Sequence, residues 1–353
     1  MMQTDIIIIG QGICGTLLSW ALHKEGKNVV VIDNQMPNAS SKVAAGIINP
    51  VTGRRYVYSW MIDTVMPFAI DTYKELEVAL GIDIIQAKSI IDFFPSPQMR
   101  EAFVTRITED DTFVHTYPDQ NHFNQFFNYD FGCGEIRPAY MVNLSALINT
   151  WRQHLQKRGE LREETFDAAN LTVKNEGVTY NDISARQIIF CDGIQSAQNS
   201  WFKLLPFSAN KGEALLIESE ALTNEHIYKR GLMLAPLWQP NLFWVGSNYQ
   251  WEFENEAPSE HFYNSTKMHL EQWLKVPFKI LDHKAAVRPA TLERRPFVGF
   301  HPVFGNVGIL NGMGTKGTSL APFFANQLAQ HIVHQFPITE EADVKRFSRI
   351  LSK

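Results

Sequence analysis

Cysteine is scarce and scattered in this chain: Cys14, Cys133 and Cys191 are the whole complement. An odd count without C-x-x-C spacing implies neither a disulfide framework nor a zinc site, and suits a reducing compartment. A basic excess is also missing. Lys and Arg number 32 against 37 Asp and Glu, a net charge of -5, and no Lys/Arg run reaches the length of a nucleic-acid arm. A general phosphate-backbone binder is therefore not expected. Long hydrophobic runs are lacking as well. The apolar stretch behind Met-Met-Gln-Thr-Asp is too short for a signal or membrane segment and has no basic residues before it, so the expectation is a cytoplasmic protein without a membrane partner. No internal repeat or low-complexity tract occurs. His283, His301 and His331 lack H-E-x-x-H or comparable spacing, so no metal is expected. What remains is an ordinary globular composition, 45% hydrophobic and 20% charged over 353 residues, enough for about two domains.

The most informative stretch runs from Asp5 to Asp33. Ile6 to Ile9 is an unbroken β-branched run, as expected for a parallel strand buried on both faces. Gly10-Gln11-Gly12-Ile13-Cys14-Gly15 follows at once. The first glycine permits a tight turn, the second lets backbone approach a phosphate, and the third lets helix pack closely on strand. Leu17, Leu18, Ala21 and Leu22 recur at helical spacing and Gly26 supplies the stop. Val29 to Ile32 then reads as a second strand ending in Asp33, whose carboxylate can accept both ribose hydroxyls of an adenosine, with Asn34 beside it. Strand, motif, helix, strand and acid in register point to a dinucleotide.

Small residues return from Val43 to Pro50, where Ala44, Ala45 and Gly46 allow close contact with a flat ligand. Asp63 to Leu80 fits an amphipathic helix closed by Gly81. From Ile84 to about Gly134 the helical period fades, and short strands and loops are expected, the texture of an inserted second domain. Tyr140 to Leu155 reads as helix with Asn143 or Ser145 as cap. Ala185 to Phe190 reads as a core strand ending in Cys191-Asp192-Gly193, a small turn able to pass beneath a cofactor. Lys211 to Ile217 and Leu242 to Val245 read as antiparallel strands, and Glu260 to Leu274 as helix. The strand Val307 to Leu310 leads through Gly312-Met313-Gly314-Thr315-Lys316-Gly317-Thr318 into a helix over Ser319 to His334.

Taken together these segments resemble the D-amino acid oxidase (DAO) superfamily of flavoproteins, nearly end to end. Ser40 to Gly46, with Ser41 among them, is similar to that family's flavin loop. Ile188 to Gly193 matches its strand with a small-residue turn, although Cys191-Asp192-Gly193 departs from the usual Ala-Thr-Gly. Val245-Gly246-Ser247-Asn248-Tyr249 looks like its Gly-x-Thr-Tyr strand end. Val287-Arg288-Pro289-Ala290-Thr291 with Pro296 to Gly299 is similar to glycine oxidase. Gly312 to Pro322 is similar to the oxidoreductase half of the bifunctional tRNA wobble-uridine modification enzyme. The resemblance implies an α/β fold, a Rossmann-like FAD-binding domain of the GR2 type plus an antiparallel-sheet substrate domain. The expected division is 1–55, 137–205 and 285–353 for FAD, and 56–136 and 206–284 for substrate. It also implies FAD held without a covalent bond, since Val43 stands where some relatives carry a tethering histidine and no cysteine follows Cys191.

The implied reaction is oxidation of a small amino acid or N-substituted glycine by hydride transfer to flavin, electrons passing to oxygen or another acceptor. Arg288 is the candidate for holding the substrate carboxylate by two parallel hydrogen bonds, against a structural ion pair with Glu293 or another acid. Tyr249 either assists it or is an aromatic core residue. Arg54 and Arg55 are not separable on sequence. Trp60, Trp238, Trp244 and Trp251 either line a cavity or fill a core. Gly312 to Thr318 can expose N–H groups at a helix start toward the anionic edge of reduced flavin, an effect of up to about 2 kcal/mol, with Lys316 adding a full charge if it points inward. The alternatives are a tRNA-modifying oxidase acting on a carboxymethylaminomethyl uridine, a flavin-binding protein without turnover, and, least favoured by the late glycine loop, an NAD-linked dehydrogenase.

Overall fold

A computed structural model describes residues 2–352, so the expected cofactor segments opening at 1 and closing at 353 each run one residue beyond it. Ile6–Ile9 and Val29–Ile32 form adjacent parallel strands in which every residue is buried. Their unbroken apolar sequence follows from being covered on both faces. They lie in a six-stranded sheet ordered Leu161–Arg162, Val29–Ile32, Ile6–Ile9, Gln187–Phe190, Val307–Asn311, Phe297–Phe300, parallel except for the last pair. Helix Ile13–Lys24 packs Leu17, Leu18 and Leu22 against it.

The second, nine-stranded sheet is antiparallel apart from one parallel pairing of Ile227–Arg230 with Ile85–Phe93. Across it run Lys279–Arg288, Asn210–Glu218, Leu242–Gly246, Leu232–Pro236, Ile227–Arg230, Ile85–Phe93, Cys133–Val142 and Ile47–Ile48, with Val114–Thr116 beside Cys133–Val142. Its two faces differ. Leu215, Ile217, Tyr228 and Phe93 point into an aromatic cluster with Phe127 and Trp273. The opposite row faces the first sheet, and one continuous core containing Ile6, Val29, Ile90, Met141 and Ile227 joins the two.

Three elements differ from expectation. Pro97–Glu109 is a helix within the stretch expected to hold strands and loops. It buries Phe103 alone, so its apolar period is faint, yet Ser96 Oγ accepts the Met99 N–H at 3.3 Å and Pro97 opens the helix. The helix expected from Tyr140 begins at Leu144, with Asn143 Oδ1 accepting the Ala146 N–H at 3.0 Å. Tyr140 to Val142 instead continue a strand, because pairing to Ile85–Phe93 and Ile47–Ile48 satisfies their backbone. Ile84 to Gly134 also holds a nine-residue strand, Ile85–Phe93, rather than short ones only. Among the described residues, no helix is long and apolar enough to cross a membrane.

Candidate active site

A cavity of about 2040 Å³ lies between the C-terminal ends of the six-stranded sheet and the inward row of the nine-stranded one. That exceeds the roughly 300–1,000 Å³ of an ordinary small-molecule pocket, leaving room for a dinucleotide and a further ligand. The crevice at the strand ends is where open α/β sheets take ligands.

At the nucleotide end, Gly10 has φ +93°, and a Cβ there would stand 2.7 Å from the Cys191 carbonyl oxygen. A Cβ on Gly15 would stand 1.9 Å from the Gly10 carbonyl oxygen, so only glycine allows this helix so close to the turn. Gly15 packs and does not line the cavity, whereas Gly10, Gly12, Ile13 and Cys14 do. Ser41 Oγ accepts the Ile13 N–H at 3.1 Å, fastening the second loop to the start of the first helix. Ala44, Ala45 and Gly46 continue that wall, and Trp244 Nε1 ties it to the other sheet by donating to the Val43 carbonyl at 2.9 Å. Asp33 and Asn34 also line the cavity. Asp33 is more occupied than its sequence position implies: Oδ2 accepts the Gln11 N–H at 2.9 Å, and Oδ1 accepts the Gln35 N–H at 2.8 Å and Arg152 Nη1 at 2.8 Å. Arg152, itself buried, also reaches Glu163 at 2.9 Å. Its position on a helix 119 residues from Asp33 gave no local signal.

Cys191, Asp192 and Gly193 close the crevice beneath. Burial raises the Asp192 carboxyl to about 7, offset in part by the Ser196 hydroxyl that donates to it. Burial likewise raises Cys14 to about 12 and Cys191 well above the ordinary thiol range, so both behave as packing groups rather than nucleophiles. No cluster of three potential metal-binding side chains occurs among the described residues.

Gly312, Gly314, Thr315, Lys316, Gly317 and Thr318 bring the late loop to the same cavity. Gly312 and Gly314 adopt φ +78° and +55°, and Asn311 holds the turn by donating to the Gly193 carbonyl at 2.7 Å. Helix Gly317–His334 starts here, with Gly317 and Thr318 at the cavity wall. Lys316 does point inward: Nζ donates to Ser59 Oγ at 2.8 Å, and burial lowers its pKa from 10.5 to about 8.

At the other end, Arg288 lies across Gly212, where a Cβ would come within 1.7 Å of Nη2. Nη1 donates to Asn210 Oδ1 at 2.5 Å and to the Asn248 carbonyl at 3.3 Å, and Nη2 to Ser247 Oγ at 2.7 Å. All three acceptors are neutral. Glu293, the acid weighed as a structural partner, pairs instead with Arg346 at 3.2 Å. Among the described residues Arg288 forms no salt bridge, and burial lowers its pKa. Asn210, Ser247 and Asn248 had no signal as a set, since strand pairing alone brings them together. Behind them, fully buried Glu213 accepts the Ser259 N–H at 2.6 Å and hydroxyl at 2.8 Å, and its own N–H donates to Asn248 Oδ1 at 2.7 Å. Tyr249 is 61% exposed, with the guanidinium carbon 5.1 Å from its ring centre, so it is not a core residue. Arg54, Trp60, Trp244 and Trp251 line the cavity; Arg55 and Trp238 do not.

The glycine cradles, the two helix starts at the cavity wall and inward Lys316 suit an anionic dinucleotide carrying a flat ring. The whole architecture is similar to glycine oxidase from Geobacillus kaustophilus, with TM-score 0.82, 18% identity, and coverage of 99% of this chain and 98% of that one. It is similar too to iminodiacetate oxidase from Chelativorans sp. BNC1 (0.77, 18%, 98% and 98%) and L-proline dehydrogenase from P. horikoshii (0.76, 16%, 99% and 98%). At these identities the likeness establishes fold. The FAD dependent oxidoreductase (DAO) family matches residues 5–331, nearly the whole chain, and the protein therefore belongs to that family and is an oxidoreductase with FAD as its cofactor.

Proposed function

We infer that the protein oxidises a small amino acid or N-substituted glycine, with non-covalent FAD as hydride acceptor and Arg288 orienting the substrate carboxylate. The observation that carries this reading is the partly buried guanidinium of Arg288, facing the cavity with only neutral partners. A desolvated cation without a counter-ion favours an incoming anion. Bound FAD supplies the two-electron oxidation. The glycine turn at Gly10 to Gly15, the Ser41 to Gly46 wall and the Gly312 to Thr318 loop would hold it. Gly212, Ala214, Gly246 and Ala286 keep the centre of the opposing row small, leaving room for substrate, while Met233 and Trp244 help exclude water. The same reading assigns 1–55, 137–205 and 285–353 to FAD and 56–136 and 206–284 to substrate, with Ile47–Ile48 crossing to pair in the second sheet. Three buried, unpaired cysteines support a reducing, cytoplasmic setting. The test is an anaerobic screen of amines against the FAD-loaded protein, followed by flavin absorbance. Bleaching by α-amino acids or N-substituted glycines is expected. Equal bleaching by the matching amines without a carboxylate would remove Arg288 from its role.

Two substitutions probe the same geometry. Gly212→Ala is expected to displace the guanidinium while leaving the sheet paired, lowering kcat/KM by about 10- to 100-fold, mostly through KM. Steady-state kinetics beside a thermal melt separates this from misfolding. Lys316→Met is expected to stabilise the FAD-free protein at pH 7 by up to about 3 kcal/mol, because burial lowers the ammonium's pKa from 10.5 to about 8, less the lost bond to Ser59. Folded protein binds fewer protons than unfolded between about 8 and 10.5, so wild-type stability rises with pH across that window and the variant lacks the rise. Urea titrations at pH 7 and 10 measure it. FAD affinity should fall in the same variant.

A further inference from the structure

The inward row of the nine-stranded sheet carries charge at a second place. Asp92, Lys229 and Met233 occupy directly paired positions on adjacent strands, in line with Gly246 and Ala214. All five line the cavity. Lys229 Nζ donates to Asp92 Oδ2 at 2.6 Å and lies 5.3 Å from the centre of the Tyr56 ring. The pair is presented unequally: the Asp92 side chain is 2% exposed and the Lys229 side chain 19%. The carboxylate is hidden, while the lysine side chain stays partly open on the cavity wall. An ammonium has three donors, and among the described residues Lys229 has a protein acceptor for one. A charged pair in this place gains little stability over apolar packing, whereas a cation with two donors unused on a cavity wall is suited to binding.

Lys229 stands on a strand separated by three others from that of Arg288. The Arg288 guanidinium reaches one strand inward, over Gly212, which leaves three strand spacings, roughly 14 Å at 4.8 Å each. The residues between are small or apolar: Gly212, Ala214, Gly246 and Met233.

We propose that Lys229, set by Asp92 and Tyr56, forms a second anion-accepting subsite, and that the substrate is an N-substituted glycine whose long substituent ends in a distal carboxylate or phosphate. This rests on the amino acid reading above. Arg288 takes the carboxylate beside the reacting carbon, and Lys229 takes the far acidic group, with the apolar middle of the ligand under the small residues.

The test uses FAD-loaded protein and ligands that cannot be oxidised: α,ω-dicarboxylic acids of graded length, each beside the monocarboxylic acid of equal length. Binding is read by calorimetry and by perturbation of the flavin spectrum. At one length the diacid should bind at least about tenfold tighter than its monoacid. Lys229→Met should erase that gain and leave monoacid affinity unchanged, whereas Arg288→Met should weaken both. The Asp92→Asn/Lys229→Gln double variant removes both charges together and decides the matter if Lys229→Met fails to fold. Monoacids that bind with no gain at any diacid length overturn the subsite and leave the Arg288 reading intact. Loss of monoacid binding in the double variant, with FAD retained, also overturns it. Wild-type protein that binds neither acid overturns both readings. Replacing the distal carboxylate by a phosphate monoester distinguishes the two anions.

Discussion

Arg288→Met is expected to lower kcat/KM toward carboxylate-bearing amines by about 10²- to 10⁴-fold, because two charge-assisted hydrogen bonds of about 1.5–3 kcal/mol each are lost. Arg288→Lys should recover only part, since an ammonium cannot match a carboxylate with two parallel donors. The stability change should be small by comparison. Breaking a buried ion pair strands a charge, but here the partners are Asn210 Oδ1, Ser247 Oγ and a carbonyl, so the variant removes a desolvated cation and leaves no charge behind. A melting temperature lowered by many degrees, with kinetics otherwise intact, would make Arg288 structural.

The second large effect separates two glycines of one motif. Gly15→Ala is expected to give destabilised, colourless protein, because its Cβ would stand 1.9 Å from a backbone oxygen of Gly10, which cannot yield as a side chain can. Gly12→Ala meets only the Ser41 side chain, with Oγ at 3.2 Å. It should fold with a near-normal melt but lose FAD affinity by about 100-fold, since the methyl group occupies space needed for backbone approach to phosphate. Apo-protein melts together with FAD titrations distinguish the two outcomes.

Much of the nucleotide half is legible in sequence because its determinants are local. The strand Ile6–Ile9, the glycines after it and Asp33 lie within one supersecondary unit whose spacing is itself the signal, although the atoms that confine Gly10 and face Gly12 belong to Cys191 and Ser41. The late loop from Gly312 to Thr318 is legible for the same reason. The substrate end is not. Arg288 stands out as one cation near a proline, but its neutral cradle comes from one other strand and the end of a second, and no spacing relates Asn210 to Asn248. Arg152 on Asp33, Ser59 under Lys316 and Asp92 beside Lys229 are likewise products of tertiary pairing. The helix Pro97–Glu109 was obscured differently: it is mostly exposed, so its pattern is polar, and only the Ser96-Pro97 start betrayed it.

The chain passes from one sheet to the other after Val29–Ile32, returns after Cys133–Val142, leaves again after Gln187–Phe190 and comes back after Lys279–Arg288. With four seams and a shared core, the halves cannot swing apart on a single hinge, because every connector would have to yield together. Traffic in and out must therefore be governed at the rim, where Tyr249 and Trp251 stand in solvent. Such a body should come undone in one cooperative step, and saturation with FAD should move that step upward as a unit rather than split it.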